Sequence, residues 1–264
     1  MSSDALGLPW GERTLLMGVV NVTPDSFSGD GVLDPLDVAR RIHRVVQEGA
    51  DVVDIGGEST RPGHSPVPAA EELRRVLPAI TSARDAGALV SIDTRKARVA
   101  REATRAGAVL VNDVSGISDP EMLAVVAEAQ AALVLVHCRP LVSRVDIAGQ
   151  VLADLGRLVE HATFSGVERG KLIVDPGFGF AKTWRDNLFL LRDLGRLRAL
   201  EVPILVGLSR KATISKVLGV SHDDRLEGSL AAASAAVVNG ADMVRAHDVK
   251  STRQATAMVD ALVR

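Results

Sequence analysis

The stretch ALVSIDTRKARVAREATRAGAVLVND, residues 88–113, decides the fold, because it holds one complete structural unit and the start of the next. Its apolar runs at 88–92 and 108–111 each end on polar residues, Asp93 to Arg95 in one case and Asn112 with Asp113 in the other. Between them lies a helical segment followed by Gly107, the residue type that ends a helix at least steric cost. Apolar runs of this length without strict polar alternation belong to strands covered on both faces, so the unit reads strand, helix, parallel strand.

Working outward, further runs occur at 15–20, 51–55, 132–136, 171–174, 202–206 and 242–244, making eight in all. The segments between them are amphipathic. In residues 35–48, Val38, Ile42, Val45 and Val46 share one side, and Arg40, Arg41, Arg44 and Glu48 lie largely on another. Gly49 and Gly87 follow helical stretches as Gly107 does, and Pro35, Pro68 and Pro120 fall near helix starts. Eight strand–helix units are enough to close a parallel sheet into a barrel. Periodicity leaves an open doubly wound sheet as the alternative.

Composition narrows the function classes. The chain has 264 residues, a size that one α/β barrel fills, and no linker or low-complexity tract divides it, so residues 1–264 are expected to form one domain with a lead-in at 1–12. With 31 basic and 33 acidic residues the net charge is -2, which provides no whole-chain field for nucleic acid or a membrane surface. No window reaches the roughly 20 apolar residues of a membrane span, and residues 1–11 lack a basic start followed by an apolar run. With a single cysteine, Cys138, the chain has no internal disulfide, and a cytoplasmic location is expected. Hydrophobic residues make up 47% of the chain and aromatic ones only 3%, so the core is aliphatic.

The polar residues cluster after the apolar runs, at their C-terminal ends, and in a β/α barrel all eight such ends meet at one mouth. Asp93, Asn112 and Asp175 provide two carboxylates and an amide on three strand ends, a set suited to the donor–acceptor edge of a flat nitrogen heterocycle such as an aminopyrimidinone. Lys211 is the expected cation beside those carboxylates. Thr60, Arg61, Arg245 and His247 supply a hydroxyl and nitrogen donors matching a phosphate or pyrophosphate, and Asn21 offers an oxygen to a bridging Mg²⁺.

Duller readings stand beside these. An aspartate after a strand often caps the next helix, and a single surface arginine is usually solvated. His43, His64, His161 and His222 have no metal-ligand spacing and are expected to face solvent. His137 is expected to pack at the barrel mouth, and Cys138 to be a wall or buried thiol.

Seven stretches in order then resemble the dihydropteroate synthase family: GVVNVTPDSFS (18–28), DIGGESTRPG (54–63), SIDT (91–94), VNDVSG (111–116), DPGFGFAK (175–182), GLSRK (207–211) and VRAHDV (244–249). The resemblance covers nearly the whole chain. It implies a closed eight-stranded parallel β/α (TIM) barrel, a homodimer, and displacement of pyrophosphate from 6-hydroxymethyl-7,8-dihydropterin pyrophosphate by 4-aminobenzoate. By matching motif, Asp93, Asn112, Asp175 and Lys211 would hold the pterin. Asn21, Thr60, Arg61, Arg245 and His247 would hold pyrophosphate, with Asn21 near Mg²⁺. Phe27, Pro62, Phe180 and the 209–211 segment would frame the aminobenzoate, with Asp175, Lys211, Arg61 and Arg245 as the catalytic set. Loops at 23–31 and 61–66 would close over the second substrate.

Three positions depart from the family pattern. The acid after Phe27 is Asp30, one place later than usual. Cys138 and Arg139 stand in an altered loop after the fifth run, and Ala212 replaces a frequent serine. Two rivals follow: a paralogue that binds pterins without this reaction, and the pterin domain of a methyltransferase. The second has no need of Thr60 and Arg61 or of 209–211.

Overall fold

Alternation along each strand builds the barrel and its interior. The computed structural model describes residues 5–23, 34–59 and 65–264. Eight strands, β1 (Leu15–Asn21), β2 (Val52–Gly56), β3 (Leu89–Asp93), β4 (Leu110–Asp113), β5 (Ala132–Val136), β6 (Leu172–Asp175), β7 (Leu205–Val206) and β8 (Met243–Ala246), pair in parallel in the order β6-β5-β4-β3-β2-β1-β8-β7. A parallel bridge between Val174 and Ile204, with the Val174 amide donating to the Pro203 carbonyl at 2.9 Å, joins the two ends of the order. The sheet is a closed barrel, not the open doubly wound alternative.

Helices α1 (Pro35–Gln47), α2 (Ala69–Asp85), α3 (Ala97–Ala106), α4 (Met122–Ala129), α5 (Ile147–Phe164), α6 (Trp184–Arg192), α7 (Ala212–Leu218), α8 (Leu226–Val238) and α9 (Val249–Val263) surround it. Local chemistry sets their ends. The Asp34 carboxylate accepts from the Leu36 and Asp37 amides ahead of α1, with Pro35 in the first turn. Thr183 and Asp186 form a capping box at α6, and Gly107 ends α3 in the left-handed region at φ 118.

Because side chains alternate between faces, each strand contributes to two cores. Leu16, Val20, Val53, Ile55, Val90, Ile92, Val111, Leu133, Val174 and Val244 point outward into a large core with the helices. Leu15, Met17, Val52, Leu110, Val134, Ile173, Leu205 and Met243 fill the interior. Two residues further along β2, β4, β6 and β8, the same inward positions are Asp54, Asn112, Asp175 and Arg245, with Ser91 and Asp93 above Leu89 on β3. The barrel is therefore apolar below and polar at its C-terminal mouth.

Most strands are shifted by one or two residues from the expected runs, with notable changes at the last two. The seventh strand is only two residues long, against an expected 202–206, because Pro203 has no N–H to donate and Ile204 makes only an isolated bridge. The eighth extends to Ala246, so Arg245 belongs to the strand itself. No helix among the described residues is long and apolar enough to cross a membrane.

Candidate active site

Four strands meet at the centre of the mouth around one guanidinium. Arg245 Nε donates to Asp54 Oδ2 at 2.6 Å, and its NH2 donates to Asp93 Oδ2 at 2.8 Å. Asn112 Nδ2 donates to the same Asp54 oxygen at 3.2 Å. Register explains the grouping, since Gly56 pairs with Asp93 and Asp93 with Asn112. Burial pushes the Asp93 carboxyl up to about 7, against the pull of Arg245 and with the neighbouring Asp54 charge adding to the rise.

Among the described residues, Asp54 Oδ1, Ser91 Oγ, Asp93 Oδ1 and Asn112 Oδ1 are buried without a hydrogen-bond partner. Three are pure acceptors and the fourth is a hydroxyl. Each such bare group costs about 1–3 kcal/mol, so the cluster is an acceptor-rich wall that gains free energy from a ligand presenting N–H groups. Neither Asp93 nor Asp175 caps the next helix: Asp119 accepts from the first amide of α3, and Thr183 caps α6.

The opposite wall comes from β6 and β7. Asp175 Oδ1 accepts from the Gly177 amide at 2.7 Å; burial raises this carboxyl, opposed by the Lys211 ammonium. Lys211 Nζ donates to the Phe178 carbonyl and lies 4.8 Å from the centre of the Phe180 ring. Burial lowers Lys211 to about 8, with Asp175 acting to keep it protonated. Lys211 therefore acts on Asp175 through its field, while its ammonium donates to the Phe178 carbonyl rather than to a carboxylate. For Asp93 and Asp54 the cation is Arg245, whose long side chain rises from the strand into the interior.

Lys211 sits in a braced turn. Its neighbour Arg210 has φ 54, in the region L-residues avoid at a cost of about 1–2 kcal/mol. The Arg210 amide donates to Ser229 Oγ at 3.0 Å, its Nε donates to Asp248 Oδ2 at 3.0 Å, and Arg225 donates to its carbonyl at 2.8 Å. The adjacent Ser209 Oγ accepts from the His247 amide at 3.2 Å and lies 3.1 Å from His247 Nδ1. The turn after β7 and the end of β8 are thereby fastened together.

Asn21 ends β1 in register with Gly56, and its Oδ1 lies near where a Gly56 side chain would begin. No group of three or more His, Cys, Asp or Glu residues able to hold a metal exists among the described residues. His137 is buried with Nε2 2.9 Å from Asp154 Oδ2, as expected for a packed residue. Cys138 Sγ donates to the Ser115 carbonyl at 3.0 Å, and burial raises the thiol, which makes it a poor nucleophile. His43 and His161 are exposed on helices and His222 is partly exposed.

Thr60, Arg61, Pro62, His64, Phe27 and Asp30 lie outside the described residues. The flank of the second loop is described: Glu58 Oε2 accepts from the Val67 amide at 2.8 Å and from Lys96 Nζ at 2.6 Å, and Lys96 also bridges to Glu72. Sequence reasoning left out Asp54 and Lys182. Both were discoverable: Asp54 follows Val52 by two positions in an apolar run, the spacing of an inward-facing residue, and Lys182 ends the DPGFGFAK stretch.

A family model described as pterin binding enzyme matches residues 17–247. The dihydropteroate synthase of Bacillus subtilis is 42% identical over 97% of this chain and 91% of its own. Among solved structures, a dihydropteroate synthase from Clostridium difficile determined in the presence of pteroic acid superposes with a TM-score of 0.92 at 42% identity, covering 97% of this chain and 99% of that one. One from Xanthomonas albilineans with 4-aminobenzoic acid gives 0.88 at 40% identity, covering 95% and 93%.

Proposed function

This chain belongs to the dihydropteroate synthase family of pterin-binding enzymes, and on that premise we propose how its own residues divide the reaction. It is a transferase that condenses 6-hydroxymethyl-7,8-dihydropterin pyrophosphate with 4-aminobenzoate, giving 7,8-dihydropteroate and pyrophosphate.

The observation carrying the division is the set of partnerless buried atoms on Asp54, Ser91, Asp93 and Asn112. The pterin amino group and ring N–H groups are donors, and they would meet these acceptors. Lys211, a donor, would meet the ring's acceptors across the site. Asp175, beside Lys211, would face the exocyclic carbon, where its negative charge stabilises the cation formed as the C–O bond ionises. The bonding pair leaves with pyrophosphate, the arylamine lone pair forms the new C–N bond, and the nitrogen sheds a proton. A free arylamine is already unprotonated at neutral pH, so no strong base is needed.

Arg245, His247, Thr60 and Arg61 would bind the leaving pyrophosphate, the arginines through bidentate forks. Binding there asks Arg245 to share its guanidinium between the leaving group and the carboxylates it now holds. Phe27, Pro62, Phe180 and residues 209–211 would frame the aminobenzoate. The amide oxygen of Asn21, with no acidic cluster beside it among the described residues, would help to hold a Mg²⁺ that arrives with pyrophosphate. When bound, that ion neutralises charge on the leaving group.

The whole chain, 1–264, is read as one functional unit, acting in the cytoplasm, where a lone unpaired cysteine is at home. A homodimer is proposed through α6, α7 and α8, which pack on one another and expose Leu188, Phe189, Val217, Leu218 and Val238. Light scattering of the purified protein reads that state directly.

Steady-state release of pyrophosphate tests the reaction. Release should require both substrates and saturate in each. Release unaffected by 4-aminobenzoate would overturn the assignment.

A further inference from the structure

Lys182 has no part in the chemistry above, yet its ammonium is deeply engaged beside the site. Nζ donates to the carbonyl oxygens of Gly177 at 3.1 Å, Phe180 at 3.2 Å and His137 at 3.1 Å, and it lies 2.8 Å from His137 Nδ1. An ammonium only donates, so Nδ1 must accept, and the imidazole proton is on Nε2, pointing at Asp154 of α5. Burial and the Lys182 charge lower His137, which favours this neutral tautomer. A chain of contacts thus runs from the outer helix α5 through His137 to the loop that follows β6.

Desolvating a lysine is costly, and here burial lowers it to about 8 against the opposing pull of Asp175. What it fastens is the 176–181 loop, two of whose carbonyls it binds. That loop is pressed against the end of β5: Gly177 has φ 70, and a Cβ there would lie 1.9 Å from the His137 carbonyl oxygen. The same loop supplies the Phe178 carbonyl that accepts from Lys211 and the Phe180 ring beside that ammonium.

We propose that Lys182 is a positioning residue for arylamine capture: by gathering the Gly177, Phe180 and His137 carbonyls, it holds the turn that keeps the Phe180 ring in place, while Lys211 is held by its own braced turn at Ser209 and Arg210. It touches neither substrate and acts through Phe180. The inference rests on the assignment of Phe180 to the aminobenzoate made above.

Its test is a split between Michaelis constants, measured per folded active site with thermal stability recorded alongside. In Lys182→Met, the KM for 4-aminobenzoate should rise at least about tenfold, while the KM for the pterin pyrophosphate stays within about threefold, since Asp93, Asn112 and Asp54 are untouched. Lys182→Arg, which keeps the charge but spreads its donors in a plane, should fall between the two, and it carries the test if Lys182→Met does not fold. A staple with no role in positioning would lower thermal stability and leave both constants unchanged; that result overturns the proposal. Equal rises in both constants overturn it as well. A wild-type enzyme without arylamine-dependent turnover would instead overturn the functional reading on which it depends.

Discussion

Replacing Arg245 with methionine would remove the one guanidinium that Asp54 and Asp93 share, leaving two buried carboxylates together. Removing one partner of a buried ion pair typically costs about 3–5 kcal/mol, because the remaining charge is desolvated and uncompensated. For a chain of this length each kcal/mol lowers Tm by about 2–4 °C, so a fall on the order of 10 °C is expected at pH 8.5. The loss should depend on pH. Asp93 is already raised from 3.8 to about 7, so the folded state holds an extra proton between those values, and stability declines as pH climbs through that window. Without Arg245 the rise is larger, and at pH 5.5 a neutral Asp93 relieves the repulsion. The Arg245→Met penalty should therefore be smaller at pH 5.5 than at pH 8.5 by at least about 1 kcal/mol, and adding Asp93→Asn should recover part of it at the higher pH. Urea unfolding at both pH values measures each quantity. A penalty below about 1 kcal/mol, or one independent of pH and of Asp93, would refute the electrostatic account of the mouth.

Other substitutions probe the opposite wall. Lys211→Ala should lower kcat/KM at least about tenfold, equivalent to about 1.4 kcal/mol of transition-state stabilisation, and steady-state kinetics would expose a wild-type rate as a contradiction. With Lys211 near 8, wild-type kcat/KM should fall as pH rises past that value, and a Lys211→Arg enzyme that retains activity should not show this fall. Cys138→Ser should keep turnover within a fewfold, because a raised, hydrogen-bonded thiol is not the nucleophile. Gly177→Ala should be destabilised, since φ 70 and the 1.9 Å approach to His137 both exclude a side chain; an unchanged Tm would show that the loop yields easily.

The fold was legible because its signals are local. Each apolar run is one strand, each glycine stop is visible in the chain, and the polar tips at Asp93, Asn112 and Asp175 follow from where the runs end. The site's long-range pairing was not. Arg245 looks like an anion ligand from its type and its neighbour His247, and only the closed barrel brings it to Asp54, 191 positions away in sequence. Asp54 escaped notice because it lies within an apolar run rather than after one, although period-two alternation aims it inward. Lys182 depends on a carbonyl 45 positions earlier, a contact that no spacing rule predicts. Proline chemistry explains the short seventh strand, where Pro203 breaks an otherwise even apolar run.

The central claim is that this mouth joins an arylamine nitrogen to the pterin's exocyclic carbon. Incubating the enzyme with pterin pyrophosphate, Mg²⁺ and 4-aminobenzoate labelled with ¹⁵N at its amine, and weighing the products by mass spectrometry, tests it directly. The account predicts dihydropteroate carrying the label, formed in equal amount to the pyrophosphate released. Hydroxymethyl-dihydropterin from water attack as the main product, or no labelled pterin at all, would contradict it.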